Sequence, residues 1–182
     1  MRKHNNDPEE YLSELMWAHY ADNHKGVCIK YHFNNDITKF ADETKSQIAY
    51  FRDIDYTSDM DVFRKNGAIN LQDAFFVKGK AWEYENELRL LAYDLKGTGD
   101  YASIDAKDSI AAVYFGFKCP KDKRAEIIDI LKGYKWVNEK SVWDETKHSI
   151  VNIKEEHIVE FFQMEIDEIH FGKLKAVKIE NI

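Results

Sequence analysis

Two stretches of this 182-residue chain gather side chains that could do chemistry. The first, Met16 to Cys28, sets Trp17, His19, Tyr20, His24 and the pair Lys25-Gly26 along one helix end and its exit. The second, Lys78 to Leu90, holds Lys78, Trp82, Glu85, Glu87 and Arg89. Glu85, Glu87 and Arg89 are spaced by two, so on a strand they project from one face. Paired carboxylates oriented by an Arg can serve as acid, base or electrostatic stabiliser. Glu85 and Glu87 are therefore the candidate catalytic residues, with Trp82 and Lys78 walling a cleft beside them. The plainer alternative is a solvated charged face with modest ion pairing. His19 and Tyr20 fall on the apolar face of the first helix, where an inward His needs a hydrogen-bond partner. They either pack together in the core or line a pocket floored by that helix. His24 and Lys25 suit the helix C-terminus as cations, and Lys25-Gly26 could also offer an ammonium and a turn to an anionic ligand.

These side chains depend on the elements that position them. Asp7 as cap, Pro8 and Glu10 predict a helix start. Leu12, Leu15, Met16, His19 and Tyr20 continue it at helical spacing, and Gly26 is expected to end it as a left-handed cap. Val27–Phe33 alternates like a half-buried strand, with Asn34-Asn35-Asp36 as a turn. Ile48–Arg52 predicts a second strand, Asp53–Gly67 irregular chain with a helical turn near Val62, and Leu71–Val77 a short helix. Glu83–Tyr93 predicts a strand, followed by a turn at Gly97-Thr98-Gly99. Ile110–Phe115 is short, apolar and β-rich, as a central strand would be. Pro120 opens a helix with Ile127, Ile128 and Leu131 inward and Gly133 at its end. Lys135–Lys147 is expected to be a loop with two Trp. Ile150–Ile153, Ile158–Met164 and Leu174–Ile179 close the pattern, the last two as antiparallel neighbours. The fold class is α+β: a mixed, largely antiparallel sheet with a few helices packed on it.

Composition narrows the functional classes. The length favours a single domain over 1–182. The hydrophobic fraction of 44% supports a packed core, and 2 Pro and 8 Gly leave no evident flexible linker. A net charge of -7 repels a phosphate backbone, so bulk nucleic acid is disfavoured, though a local pocket for one nucleotide is not. Cys28 and Cys119 read as two reduced thiols of a cytoplasmic protein. The start of the chain lacks the apolar run of a signal peptide, and no stretch approaches the roughly 20 apolar residues of a membrane span. No His-Glu-x-x-His or paired-Cys pattern, Walker loop or Gly-x-Ser-x-Gly elbow occurs, so no metal is expected. His148, His157 and His170 are scattered, and Trp136 and Trp143 read as core or rim aromatics.

The two stretches also carry a family resemblance. Met16, Trp17, His19, Tyr20, Ala21, His24, Lys25, Gly26 and Cys28 match a Met-Trp-x-His-Tyr-Ala-x-x-His-Lys-Gly-x-Cys block. Lys78, Trp82, Tyr84, Glu85, Glu87 and Arg89 match a second one, and Ile110, Val113 and Gly116 a strand end. In these the chain resembles the bacterial domain of unknown function 2971 family, over most of its length and more thinly after Pro120. Relatives begin with a further segment, so the resemblance implies a shortened member. The layout also loosely resembles an ADP-ribosyltransferase-type fold. That likeness implies a nucleotide- or NAD-handling transferase or glycohydrolase, with a pocket between the first helix and the strand 83–93. Glu87, with Glu85 beside it, would then stabilise oxocarbenium charge. Trp17, His19, Tyr20, Lys25, Gly26, Lys78, Trp82 and Arg89 would hold the ligand. The alternative is a non-catalytic ligand-binding or protein-interaction module, defence- or phage-associated.

Overall fold

The computed structural model describes residues 13–32, 48–59, 64–65, 68–69, 71–93, 107–170 and 172–180. The expected Asp7 cap, the turns at Asn34–Asp36 and Gly97–Gly99, and the helical turn at Val62 lie outside these residues. In chain order the elements are α1 (Glu14–Tyr20), β1 (Val27–Tyr31), β2 (Ile48–Asp53), β3 (Asp55–Thr57), β4 (Arg64–Lys65) and β5 (Ala68–Ile69). Then come α2 (Leu71–Ala74), β6 (Val77–Gly79), a 3-10 turn (Lys80–Glu85), β7 (Leu88–Tyr93) and a second 3-10 turn (Lys107–Ser109). The chain closes with β8 (Ile110–Phe115), α3 (Lys121–Leu131), β9 (Lys135–Asp144), β10 (Ser149–Ile158), β11 (Glu160–Ile166) and β12 (Leu174–Lys178). The class is α+β, with mixed and mostly antiparallel sheets.

The chain divides into two compact units. One comprises Met1–Asp7 and Thr38–Ile104, the other Pro8–Ile37 and Asp105–Ile182. The second is built on a four-stranded sheet in the order β1-β8-β11-β12. β8 sits inside it, antiparallel to β1 and parallel to β11, and β11 pairs antiparallel with β12. The central strand and the antiparallel closing pair are as the sequence led us to expect. Because side chains alternate along a strand, β8 serves both faces. Ala112 and Tyr114 pack with Trp17 of α1, with Ala21 at its C-cap, and with Met164 and Leu174. Val113 and Phe115 pack with Val159, Phe161 and the inward face of α3, Ile127, Ile128 and Leu131. Val113, Phe115 and Met164 are completely buried, worth about 1.5–3 kcal/mol each.

Several expectations are corrected in this unit. The inward residue of α1 is Trp17, whereas His19 and Tyr20 are exposed. Trp17 and Ala21 are four apart and own the buried stripe, which turns His19 to the opposite side. Gly26 is not the left-handed cap. Asp22, Asn23 and His24 all take positive φ (44°, 51° and 70°), and Gly26 follows them. What Gly26 supplies is closeness, since a Cβ there would stand 3.1 Å from the Ala21 backbone. Lys135–Lys147 is not a loop. β9 pairs with β10 over ten registered pairs from Lys135–Ile158 to Asp144–Ser149. The polar residues that disguised it form cross-strand pairs, Lys140 with Glu155 (2.9 Å) and Ser141 with Asn152 (2.9 Å). Trp136 stacks on His157 with ring centroids 4.4 Å apart.

In the other unit β2 pairs antiparallel with β7. The chain then passes through Ile54, whose N–H bonds the Glu87 carbonyl (3.0 Å), into β3, which pairs parallel with β6. Ile54 and Phe76 are its buried hydrophobics among the described residues. The strand expected over Glu83–Tyr93 begins only at Leu88, because Lys80–Glu85 winds as a 3-10 turn.

Candidate functional site

The parallel register of β3 and β6 sets Tyr56 beside Lys78. The 3-10 turn then brings Trp82 and Glu85 back toward Lys78. Asn86 ends that turn in the left-handed region (φ 45°), which Asn tolerates better than most residues. So Glu85 and Glu87 do not share a face by strand alternation. The turn and its Asn86 kink aim both carboxylates at one ammonium: Lys78 pairs with Glu85 and stands 3.6 Å from Glu87. Arg89 grips Glu87 with two parallel bonds, Nε to Oε1 (2.6 Å) and Nη2 to Oε2 (2.8 Å), and donates Nη1 to the Phe75 carbonyl (2.5 Å). The Lys78 ammonium lies 4.9 Å from the Trp82 ring centroid, within cation–π range. The Tyr56 hydroxyl accepts the Glu87 N–H at 2.8 Å.

Burial grades this cluster. Glu85 is 3% exposed, whereas the Glu87 side chain keeps 17% and Trp82 37%. Burial pushes the Glu87 carboxyl up, but the Arg89 hydrogen bonds and charge, with Lys78, outweigh it and hold it below the usual carboxylate range. The Glu87 bonds raise the Arg89 guanidinium. Burial, with the charges of Glu85 and Glu87, keeps the Tyr56 phenol protonated beyond its ordinary range. Glu87 is thus a fixed anion, suited to electrostatic stabilisation and unsuited to donating a proton.

Lys78, Trp82, Glu85, Glu87 and Arg89 therefore converge as the sequence suggested. Tyr56 and the Phe75 carbonyl join them unannounced, Tyr56 signalled only by the short alternation Ile54-Asp55-Tyr56 in a polar stretch. The first-block residues belong to the other unit. There Trp17 is core, His19 and Tyr20 meet edge to face with centroids 6.4 Å apart, and Lys25 makes a surface pair with Asp22 (3.8 Å). His24 is the surprise. Expected as a dipole-compensating cation, it is 5% exposed, its ring 4.5 Å from that of Phe117. Its Nδ1 is buried without a hydrogen-bond partner. Burial, then the Lys118 charge, lowers its pKa against a smaller opposing pull from Glu14, so it sits neutral. Among the described residues, no group of three or more His, Cys, Asp or Glu could hold a metal, and no helix is long and apolar enough to cross a membrane.

The profile of the family described as "Protein of unknown function (DUF2971)" matches residues 16–90. That span covers both motif blocks and leaves out Ile110, Val113 and Gly116. No curated protein and no solved structure matches the chain.

Proposed function

Residues 16–90 belong to the DUF2971 family, whose description assigns no activity, and from that premise we propose that the Lys78–Arg89 cluster is the ligand site of a nucleotide-handling transferase or glycohydrolase. NAD is the first candidate substrate, and the bacterial cytoplasm the place of action. The observation that carries this reading is Glu87: a part-exposed carboxylate, locked by a two-pronged Arg89 grip and held ionised. A preorganised anion of this kind stabilises positive charge developing at an anomeric carbon, and its fixed orientation avoids reorganisation during the reaction. Glu85 anchors Lys78, Lys78 braces Glu87, and Trp82 offers an aromatic wall.

A second reading, a non-catalytic binding module, is favoured by charge compensation, because two cations face two carboxylates with no net charge left over. One screen separates the two. Ligand at 100 times its dissociation constant stabilises a protein by about 2.7 kcal/mol, so NAD, nucleotides and sugars are tested by thermal shift and then for turnover. The enzymatic reading expects a shift with NAD and cleavage that Glu87→Gln abolishes while the fold persists. A shift without turnover selects the binding module, and turnover unchanged in Glu87→Gln removes Glu87 from the chemistry.

A further inference from the structure

Resting on the reading of this cluster as a ligand site, we infer that it recognises the sugar-and-base part of a nucleoside ligand, through Glu87 and the Tyr56 hydroxyl, and leaves phosphates outside. Charge is the first argument. Both cations of the cluster, Lys78 and Arg89, already face carboxylates. A phosphate entering here would have to draw a cation off a part-buried carboxylate, and stranding a buried charge is costly. Anion sites instead present cations or N–H groups aimed at the ligand.

Hydrogen-bonding capacity is the second argument. An ionised carboxylate offers about four lone-pair positions. Arg89 fills two on Glu87, and the Lys78 ammonium at 3.6 Å is beyond hydrogen-bond length. The remaining positions accept donors, which a ribose supplies as neighbouring hydroxyls and a phosphate does not. The Tyr56 oxygen accepts the Glu87 N–H, and its own proton has no acceptor among the described residues. The hydroxyl, its oxygen held 2.8 Å from the Glu87 backbone nitrogen, thus offers a donor that fits a sugar or base oxygen. The partly exposed Trp82 ring adds apolar surface for a base.

Titration calorimetry of the intact chain with adenosine, AMP, ATP, nicotinamide riboside and NAD, at 50 and 300 mM salt, tests this. Nucleosides should bind within about threefold of their phosphorylated forms at both salts, and Tyr56→Phe should weaken all of them about tenfold. Affinity rising tenfold or more from adenosine to ATP and collapsing with salt would overturn the inference while sparing the nucleotide-site reading. Phosphate-independent binding that Tyr56→Phe leaves unchanged would remove Tyr56 from recognition. No binding by any of the five would sink both. The wild-type phosphate and salt series stands even if Tyr56→Phe fails to fold.

Discussion

Replacing Gly116 with alanine should be among the most damaging single-methyl changes in the chain. A Cβ at Gly116 would stand 2.1 Å from the His24 carbonyl oxygen and 2.6 Å from its carbon. Those are main-chain atoms and cannot rotate aside. The segment they belong to is tied at several points: His24 N–H to the Trp17 carbonyl (3.2 Å), Gly116 N–H to the Gly26 carbonyl (3.0 Å) and Lys118 N–H to the His24 carbonyl (3.1 Å). Making room breaks or bends at least the last two, at about 0.5–1.5 kcal/mol each. Overpacking adds about 1–3 kcal/mol. The stiffer unfolded chain of an alanine variant returns about 0.4–1 kcal/mol. The net loss is about 3 kcal/mol, or roughly 6–12 °C in Tm for a chain of this size. Urea unfolding followed by tryptophan fluorescence reads this directly, because Trp17 is buried and hydrogen-bonded to the same segment. Gly26→Ala serves as the internal scale. Its Cβ would approach backbone only to 3.1 Å, so its loss should be about 1 kcal/mol. A Gly116→Ala midpoint equal to wild type, or a Gly26→Ala loss that exceeds it, would refute the close approach of His24 to the end of β8.

Two further outcomes follow from the charge distribution. His24 has a folded pKa below its unfolded value, so the unfolded chain binds more protons, and stability should fall as pH drops below about 6.5. Stability measured from pH 7.5 to 4.5 should therefore decline less steeply in His24→Phe than in wild type, and parallel curves would deny the buried neutral ring. Lys78→Met leaves Glu85 buried without its main cation and should cost about 3–5 kcal/mol. Adding Glu85→Gln should recover part of that loss, with a coupling of at least about 1 kcal/mol in a double-mutant cycle; additive losses would mean the pair is not coupled.

How far the sequence foretold this arrangement depends on what each element relies on. α3 was legible at both ends because Pro120, the apolar triad Ile127, Ile128 and Leu131, and Gly133 are local signals. β8 was legible because a strand buried on both faces must be apolar throughout. The sequence of α1 shows a helix but does not show which face turns inward. Seven residues make too few turns to fix the phase, and the deciding fact, Trp17 against β8 and β12, is tertiary. β9 escapes a reading of its sequence because its stability lies in pairing with β10, and Lys140 or Ser141 looks like loop until Glu155 stands diagonally across from the first and Asn152 directly opposite the second. At the candidate site the residue types and their gathering are legible in the sequence, and the backbone route that gathers them is not. Regular alternation would have put Glu85 and Glu87 on one strand face, whereas a left-handed Asn86 and a 3-10 turn bring them to Lys78 by another route.

The β1–β8 ladder has a consequence for how the chain is made. Tyr31, the last residue of β1, lies opposite Ile110, the first of β8, yet about 80 residues separate them. The second unit is thus interrupted between Ile37 and Asp105, and the strands on either side of the interruption meet end to end at one rung of a ladder. At a synthesis rate of about 5–20 residues per second, β1 waits some 4–16 s for its partner to emerge. Through that interval the edge of β1 that β8 will cover stays open. The same doorway makes the segment replaceable: a tight turn from Tyr31 to Ile110 would join two strands that already run antiparallel.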